Sequence, residues 1–344
     1  MPSESDSNAR SCAVSSSPSE FVFDIRTDSF HRFAQHLESV FPFLRVTKTD
    51  VDGNTVLQSE HGGMRVFSIY QGAGEVWLQK GYRTQEGDGE PLPSEQYRSD
   101  SCDPQFSETF HCRRTGYSTK TVDSWERLMT GDQLVVTENE PLRVRGNFQC
   151  FSLENIERKE SHVSATRRLR FILDTAGGCS PGFDSFRRLS TTWVPTAPDE
   201  VGDGINFFNS HVINIPAEHS PTHFHPKNPI GDGTAQHEFY LVLDPNVYSL
   251  ATAGLKPEIV LYPDLADLSR YEIIPLRPGM IVSIPPGVGH RGLNVFAIIM
   301  TLPGFKPGND FYLDKDIYER TGGASPYNSK HLGSKNYERL EEFL

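Results

Sequence analysis

Three histidines and one glutamate are spaced so that they could hold a metal ion. His223 and His225 are two positions apart in an extended stretch, and because strand side chains repeat every two residues, both imidazoles lie on one face. Glu238 opens the apolar run 239–243, which is typical of a strand. His290 follows a Pro-Pro-Gly turn and begins a returning strand. Two hairpins thus each bring ligands to one end, and their spacing predicts a metal site made of these four residues.

The ligand types restrict the chemistry more than they restrict the metal. Imidazole and carboxylate ligands without thiolate do not discriminate sharply among Fe(II), Mn(II), Ni(II), Cu(II) and Zn(II). In an octahedral centre, four protein ligands leave two positions for water, a chelating substrate or dioxygen. One carboxylate against a divalent ion leaves about one net positive charge. The site therefore favours an enolate, catecholate, carboxylate or other anionic oxygen donor, with the ion acting as Lewis acid and template.

Several neighbours of these ligands have an expected orientation. Tyr240 shares a strand face with Glu238, so it is a candidate catalytic hydrogen-bond donor or proton shuttle, with simple packing as an equal alternative. By the same alternation His237 points to the opposite strand face from Glu238, and Arg291 points to the opposite strand face from His290. A further set shares the face of His290 and is expected to line an apolar cavity: Asn294, Phe296, Ile298 and Met300.

The segment around His290 matches a known family motif. Gly279, Pro285, Gly287, His290 and Asn294 stand at every defining position of the second motif of the cupin superfamily. The chain therefore resembles the cupins, and the resemblance covers about residues 205–303.

The first segment resembles the first cupin motif with departures. Ala217 and Pro245 stand where glycines are usual, and twelve residues separate the second histidine from the glutamate where most cupins have three or four. The loop 226–237 can absorb the extra length, because the cost of loop closure grows slowly with length. Asp232, in a Gly-Asp-Gly stretch of that loop, is an alternative carboxylate ligand.

The resemblance implies an activity and its alternatives. It implies a dioxygenase, an oxidoreductase that oxidises a small oxygen-bearing molecule chelated to the metal, with Fe(II) preferred and Zn, Mn, Ni or Cu as alternatives. A metal-dependent isomerase or lyase is the second reading, because some cupin sugar isomerases also place a long loop between His-x-His and a Glu-x-Tyr strand. A non-catalytic ligand-binding barrel is the third, although such barrels usually lose some ligands. Cupins often pair into dimers, which makes a homodimer the implied assembly.

Composition and length favour an all-β fold with more than one barrel. The 344 residues exceed the roughly 100–200 of a usual domain. The 28 Gly and 24 Pro favour many short strands and turns. The segment 128–151 echoes 276–298, with a Gly, an apolar strand, a Pro-containing turn and a returning strand, but it has no counterpart of His290. A two-barrel, or bicupin, jelly-roll chain with a degenerate first barrel would explain the echo, and so would the general likeness of β-hairpins.

These patterns predict the following organisation. The four parts are a disordered Ser-rich leader at 1–19, a β-rich N-terminal domain at 20–165, the metal-binding cupin barrel at 200–303 and a tail at 304–344 that packs on a barrel. Peripheral helices are expected within 21–44, where Asp28-Ser29 offers an N-cap, and at 335–344. A polar loop is expected at 83–103.

Charge and cysteine content exclude several classes of partner. The net charge of −12 disfavours nucleic acid, which requires a basic surface. Five cysteines without a C-x-x-C spacing predict neither a disulfide framework nor a thiolate zinc site, and favour a reducing compartment. No run of about 18 apolar residues is present, so no membrane partner is expected. We therefore expect a cytoplasmic protein with a small-molecule substrate.

Overall fold

The computed structural model of the chain describes residues 20–63, 65–78, 123–136, 141–156, 221–227, 235–245, 254–302, 311–323 and 326–329, the short strands given below between 83 and 215, and residues 252, 332 and 340. The predicted leader at 1–19, the alternative ligand Asp232 and almost all of the predicted helix 335–344 lie outside these residues.

β-Strands, nearly all of them paired antiparallel, build most of the described chain. In chain order the elements are β1 (Val22–Asp24), α1 (Ser29–Val40), β2 (Leu44–Leu57), β3 (Arg65–Leu78), β4 (Arg83–Gln85), β5 (Glu90–Pro91), β6 (Arg113–Arg114), β7 (Tyr117–Thr119), β8 (Ser124–Met129), β9 (Gln133–Val136), β10 (Leu142–Asn155), β11 (Arg167–Leu169), β12 (Arg188–Pro195), β13 (Asn206–Ile215), β14 (His223–Phe224), β15 (His237–Val242), β16 (Glu258–Tyr262), β17 (Glu272–Pro275), β18 (Met280–Ile284), β19 (Gly289–Leu293), β20 (Val295–Leu302), β21 (Phe311–Tyr312) and α2 (Asp314–Thr321).

The second half of the chain forms two sheets. One has six strands in the order β1-β18-β15-β20-β13-β12, and the other has five in the order β17-β16-β19-β14-β21. Side chains from both sheets form one buried apolar cluster: Tyr240, Val242, Ile259, Leu261, Leu276, Val282, Ile284, Val288, Val295, Ala297 and Ile299. Alternating apolar residues from strands of both sheets thus meet in the interior of a jelly-roll barrel.

The first half is built around three strands of 14 residues each. β2, β10 and β3 are neighbours in an eight-stranded sheet whose order continues through β9, β11, β4 and β7, while β8 pairs with β3. This sheet contains the segment 128–151, which the sequence predicted to be a hairpin and which forms β9, most of β10 and the end of β8. A separate buried cluster fills this half: Val51, Leu57, Phe67, Ile69, Val76, Leu78, Leu128, Leu134, Val136, Leu142, Val144, Phe148 and Cys150.

A shared apolar core joins the two halves. Helix α1 contributes Phe33 and Leu37 to one buried cluster. The eight-stranded sheet contributes Phe151, and the six-stranded sheet contributes Phe239 and Met300. The ring centroids of Phe33 and Phe239 are 5.7 Å apart in an edge-to-face contact. The outer faces of the two large sheets therefore pack on each other and on α1.

The predicted helix within residues 21–44 is shorter than expected. α1 occupies Ser29–Val40 and is preceded by Asp28, but no side-chain cap bond is made there. Before it, β1 pairs with β18, with Val22 opposite Val282. The three residues of β1 add an edge strand to the sheet of the second half, and this tertiary pairing replaces the first turns of the expected helix.

The all-β fold class with a few peripheral helices is confirmed by these sheets. The division of the chain into domains at the predicted boundaries stays a prediction. None of the described helices has the length and apolar character needed to span a bilayer.

Candidate metal centre

Two of the predicted ligands face each other on neighbouring strands. His223 in β14 is paired in register with His290 in β19. Their ring centroids are 4.2 Å apart. Directly opposed residues of an antiparallel pair project to the same face. The pairing therefore brings together two imidazoles that are far apart in the sequence.

The carboxylate reaches the same point from the other sheet. Glu238 in β15 lies with Oε2 2.9 Å from Nε2 of His225 and Oε1 3.4 Å from Nε2 of His290. One donor atom from each of these three residues and from His223 lies within 4.8 Å of the others. The structure thus places all four predicted ligand side chains in one buried cluster.

The electrostatics of the cluster favour an ionised Glu238. Burial alone would raise the pKa of this carboxyl, but the hydrogen bond with His225 and the charge interactions with His225 and His290 hold that pKa well below its ordinary value. A buried carboxylate is stable only with such partners. An acceptor of fixed negative charge therefore stands among three imidazoles.

The donor set and its geometry fit a divalent cation. Metal bonds of about 2.0–2.2 Å place donor atoms within about 4.4 Å of one another, close to the observed spread. Nε2 of His290 is buried and has no hydrogen-bond partner among the described residues, although Glu238 is near. A buried polar atom without a partner is costly, and a bound cation would satisfy it. The metal itself is not determined by these donors.

A backbone hydrogen bond links the turn before His290 to the segment that carries His223 and His225. The backbone N–H of Gly287 donates to the carbonyl of His225 at 2.7 Å. Gly287 has φ +84°, a conformation that side chains rarely adopt, so glycine is required at this point of the turn. This backbone bond ties the end of β14 to the turn that leads into the His290 strand.

The C-terminal segment supports the other side of β14. Leu313 donates its N–H to the carbonyl of Thr222, and the carboxylate of Asp314 accepts from both the N–H and the hydroxyl of Thr222. β21 pairs with β14, with Tyr312 opposite His223. Because β14 has only two residues, these bonds from 311–314 help to fix the orientation of the His223 imidazole.

The expected orientations around the ligands are partly met. Tyr240 is buried in the barrel interior, with its ring centroid 6.1 Å from that of His290. His237 packs against Phe41 on the side facing α1. Arg291 is 6 % exposed, so although it leaves the barrel interior it is covered by other parts of the chain.

The expected cavity lining on β20 is wrong. Phe296, Ile298 and Met300 belong to the core between the two halves, whereas Val295 and Ile299 face the barrel interior. The strand alternation was counted through from the His290 strand, but the chain changes sheet between β19 and β20. Asn294 stands at this break with φ 55°, and the turn resets which residues face inward.

Two supporting residues escaped the sequence interpretation. Gln236 is buried with its side-chain amide 3.2 Å from Nδ1 of His225. A signal was present, because Gln236 shares the strand face of Glu238 and Tyr240 by the period of two. Asp314 had no signal, since only the tertiary fold brings it to Thr222.

The first half lacks a comparable site within the described residues. Among all the described residues, one group of three or more His, Cys, Asp or Glu side chains is suited to a metal: His223, His225, Glu238 and His290. The described strands of 128–151 place apolar residues such as Leu134 and Phe148 in the separate core of the first half. The metal site therefore belongs to the second half.

Comparison with known proteins gives structural neighbours only. No family model matches the chain, and no curated protein matches it. Oxalate decarboxylase from Bacillus subtilis, a protein with Mn(II) centres, aligns at 8 % identity over 88 % of this chain and 80 % of its own, with a TM-score of 0.37. Vicilin from tomato aligns at 9 % identity over 87 % and 90 %, with a TM-score of 0.43. Vicilin from Solanum melongena aligns at 10 % identity over 85 % and 86 %, also at 0.43.

The cupin resemblance itself rests on the chain's own features. The second motif is complete, its strands form facing antiparallel sheets, and the four ligand residues meet at one end of the barrel. Together these confirm a cupin-type jelly-roll architecture with a cluster of side chains suited to hold a metal ion.

Proposed function

We propose that this protein is a metal-dependent enzyme of the dioxygenase type, with His223, His225, Glu238 and His290 as ligands of a divalent ion, Fe(II) being the preferred candidate. One observation carries the proposal: the four donor atoms lie within 4.8 Å of one another in a buried cluster. Mn, Zn, Ni and Cu remain alternatives, because the donors do not select among them. The ion would supply Lewis acidity and open positions for substrate and dioxygen.

The residues around the site favour a small anionic oxygen donor as substrate. Three neutral imidazoles and one carboxylate would leave a divalent ion with about one net positive charge, which attracts an enolate or catecholate oxygen. The ligands themselves are at most 6 % exposed, and the adjoining barrel interior is apolar. A dry site strengthens such electrostatic interactions and limits competing reactions with water.

Tyr240 is the proposed catalytic residue. Its ring lies beside His290, and the residue is 1 % exposed. A phenol in this position can donate a hydrogen bond to a substrate oxygen or pass a proton to it.

Metal content is the first test of the proposal. We expect about one equivalent of divalent metal in the purified protein and a large loss in His290→Ala and His223→Ala, because each variant removes a ligand. His36→Ala, a change at an exposed histidine of α1, serves as the matched control and should retain the metal. Unchanged metal content in His290→Ala would refute the site assignment.

Oxygen consumption is the second test. The Fe(II)-loaded protein is offered catechols, flavonols and 1,3-diketones in an oxygen electrode, and ¹⁸O₂ labelling with mass spectrometry follows both oxygen atoms into the product. The expected result is substrate-dependent uptake that is lost in His290→Ala.

A metal-dependent isomerase or lyase is the second candidate. The observation that favours it is the position of Tyr240, on the strand face of Glu238 and next to His290, where it could serve as a proton donor to an enediolate. Anaerobic interconversion of sugars by the metal-loaded protein, with no oxygen uptake for any substrate, would favour this candidate over the dioxygenase.

A further inference from the structure

Two of the three ligand imidazoles are oriented by backbone carbonyl groups. Nδ1 of His223 lies 3.3 Å from the carbonyl oxygen of Pro221, and Nδ1 of His290 lies 3.2 Å from that of Val288. A carbonyl oxygen only accepts hydrogen bonds, so in each ring Nδ1 carries the proton and Nε2 presents its lone pair to the cluster. Such partners fix the tautomer that binds a metal.

His225 has a different kind of partner at the corresponding atom. The side-chain amide nitrogen of Gln236 lies 3.2 Å from Nδ1 of this ring, its nearer contact, and 3.4 Å from Nε2. Gln236 is 1 % exposed, and its Oε1 has no hydrogen-bond partner among the described residues. Unlike a carbonyl, an amide can present either a donor or an acceptor, because rotation about its last bond exchanges oxygen and nitrogen.

The amide is therefore compatible with both tautomers of His225. Nε2 of His225 lies 2.9 Å from Oε2 of Glu238, and an ionised carboxylate only accepts, so in this arrangement Nε2 carries the proton and Nδ1 accepts from Gln236. For Nε2 to bind a cation, the proton has to reside on Nδ1. The rotated amide would then accept it through Oε1.

We propose that Gln236 is a positioning residue for His225, whose amide stabilises the Nδ1–H tautomer when a divalent cation binds and thereby raises metal affinity. This inference rests on the metal site proposed above. It concerns a residue that binds no metal itself and acts through the imidazole.

The geometry of β15 makes this role specific to Gln236. The residue lies immediately before β15 and shares a strand face with Glu238, so one backbone segment delivers both the carboxylate and the amide to His225. Asn would be shorter by one methylene. Leu would fill similar volume but neither donate nor accept, and Glu would only accept.

Metal affinity in three variants tests the proposal. Dissociation constants for Zn(II) and Mn(II) are measured by competition with a chromophoric chelator. We expect Gln236→Leu to weaken binding about 10–100-fold, the usual effect of removing a partner of a ligand histidine. Gln236→Glu should retain most of the affinity, because its carboxylate accepts from Nδ1–H. Gln133→Leu, which removes a buried glutamine of the first half, is the matched control and should leave affinity unchanged.

The tautomer is the readout that separates positioning from general stability. In the Zn(II)-loaded protein, long-range ¹H–¹⁵N spectra of His225 should show a proton on Nδ1 that exchanges slowly in the wild type and quickly in Gln236→Leu. Metal-free thermal unfolding of both proteins checks that Gln236→Leu still folds.

Two results would overturn the inference. One is Zn(II) affinity of Gln236→Leu within about twofold of the wild type. The other is a weakened Gln236→Leu whose His225 Nδ1–H is as protected as in the wild type, which would indicate that Gln236 binds the cation directly. Failure of the metal site itself would be recognised separately, because the wild type and His290→Ala would then bind metal equally weakly.

Discussion

At the residue scale, the four ligands differ in what holds them. His223 is fixed by strand pairing on both sides, with β19 and β21, while Glu238 sits within a regular strand between β18 and β20. His225 lies beyond the end of β14 and depends on its backbone bond from Gly287 and on side-chain contacts. The ligand outside a regular strand, His225, thus has the buried side chain of Gln236 beside it.

Tyr240 provides a prediction at this scale. Tyr240→Phe keeps the buried ring and removes only the hydroxyl group, so the metal content should stay near wild type. If the phenol donates a proton or hydrogen bond in the reaction, kcat should fall about 10²–10⁴-fold. Steady-state kinetics beside metal analysis check this. Wild-type kcat in Tyr240→Phe would leave the residue with a packing role only.

At the scale of elements, the C-terminal segment acts as a brace for β14. Asp314 begins α2 and accepts hydrogen bonds from Thr222 and from the N–H of Asn328, so one fully buried carboxyl joins β14, α2 and the segment that follows. Burial raises the pKa of Asp314 to about 6, even though the hydrogen bonds from Asn328 and Thr222 act to lower it.

This pKa predicts a pH dependence of stability. The ordinary Asp value is 3.8, so the folded protein binds the proton more tightly than the unfolded chain, and the stabilisation present below pH 4 is lost as pH rises to about 6. The loss amounts to about 3 kcal/mol for a pKa of about 6 in the folded protein against 3.8 in the unfolded chain. Asp314→Asn cannot titrate, so its unfolding free energy relative to wild type should rise by about this amount between pH 4 and 7.

Urea unfolding of the metal-free protein at a series of pH values measures that difference. Asp316→Asn, in the first turn of the same helix, is the matched control. A constant difference between Asp314→Asn and wild type across this range would contradict the raised pKa.

At the scale of the whole molecule, the halves are joined by a common core. β1, from the N-terminal part, is the edge strand of the second half, and Asp24 at its end is linked to Arg277 at 2.8 Å and to Arg26 at 3.0 Å. Phe33 of α1 packs against Phe239, the residue that follows Glu238. The metal centre thus lies one residue from the interface between the halves.

The shared core predicts cooperative behaviour. Phe33→Ala removes a fully buried ring and should cost about 3–5 kcal/mol. Because Phe33 contacts both halves, amide hydrogen exchange should accelerate in β3 of the first half and in β15 of the second together. Phe148→Ala, in the separate core of the first half, is the comparison and should affect β3 more than β15. If amide hydrogen exchange in Phe33→Ala accelerated in one half only, that result would argue against a common core.

Sequence alone determined the elements of the site that depend on local spacing. The period of two in a strand was sufficient to put His223 and His225 together and Tyr240 on the face of Glu238, and the motif from Gly279 to Asn294 was sufficient to indicate the barrel type. These inferences succeed because each concerns neighbours along one strand or one turn.

Only the tertiary structure decided which distant residues meet. No spacing rule connects Asp314 to Thr222 or β1 to β18, because these contacts follow from the packing of whole elements. The same limit explains the error on Phe296, Ile298 and Met300: alternation holds within a strand, but the turn at Asn294 moved the chain to another sheet and reversed the inward face. The ligand residues could thus be identified from the sequence, whereas the residues that hold them in place are determined by long-range pairing.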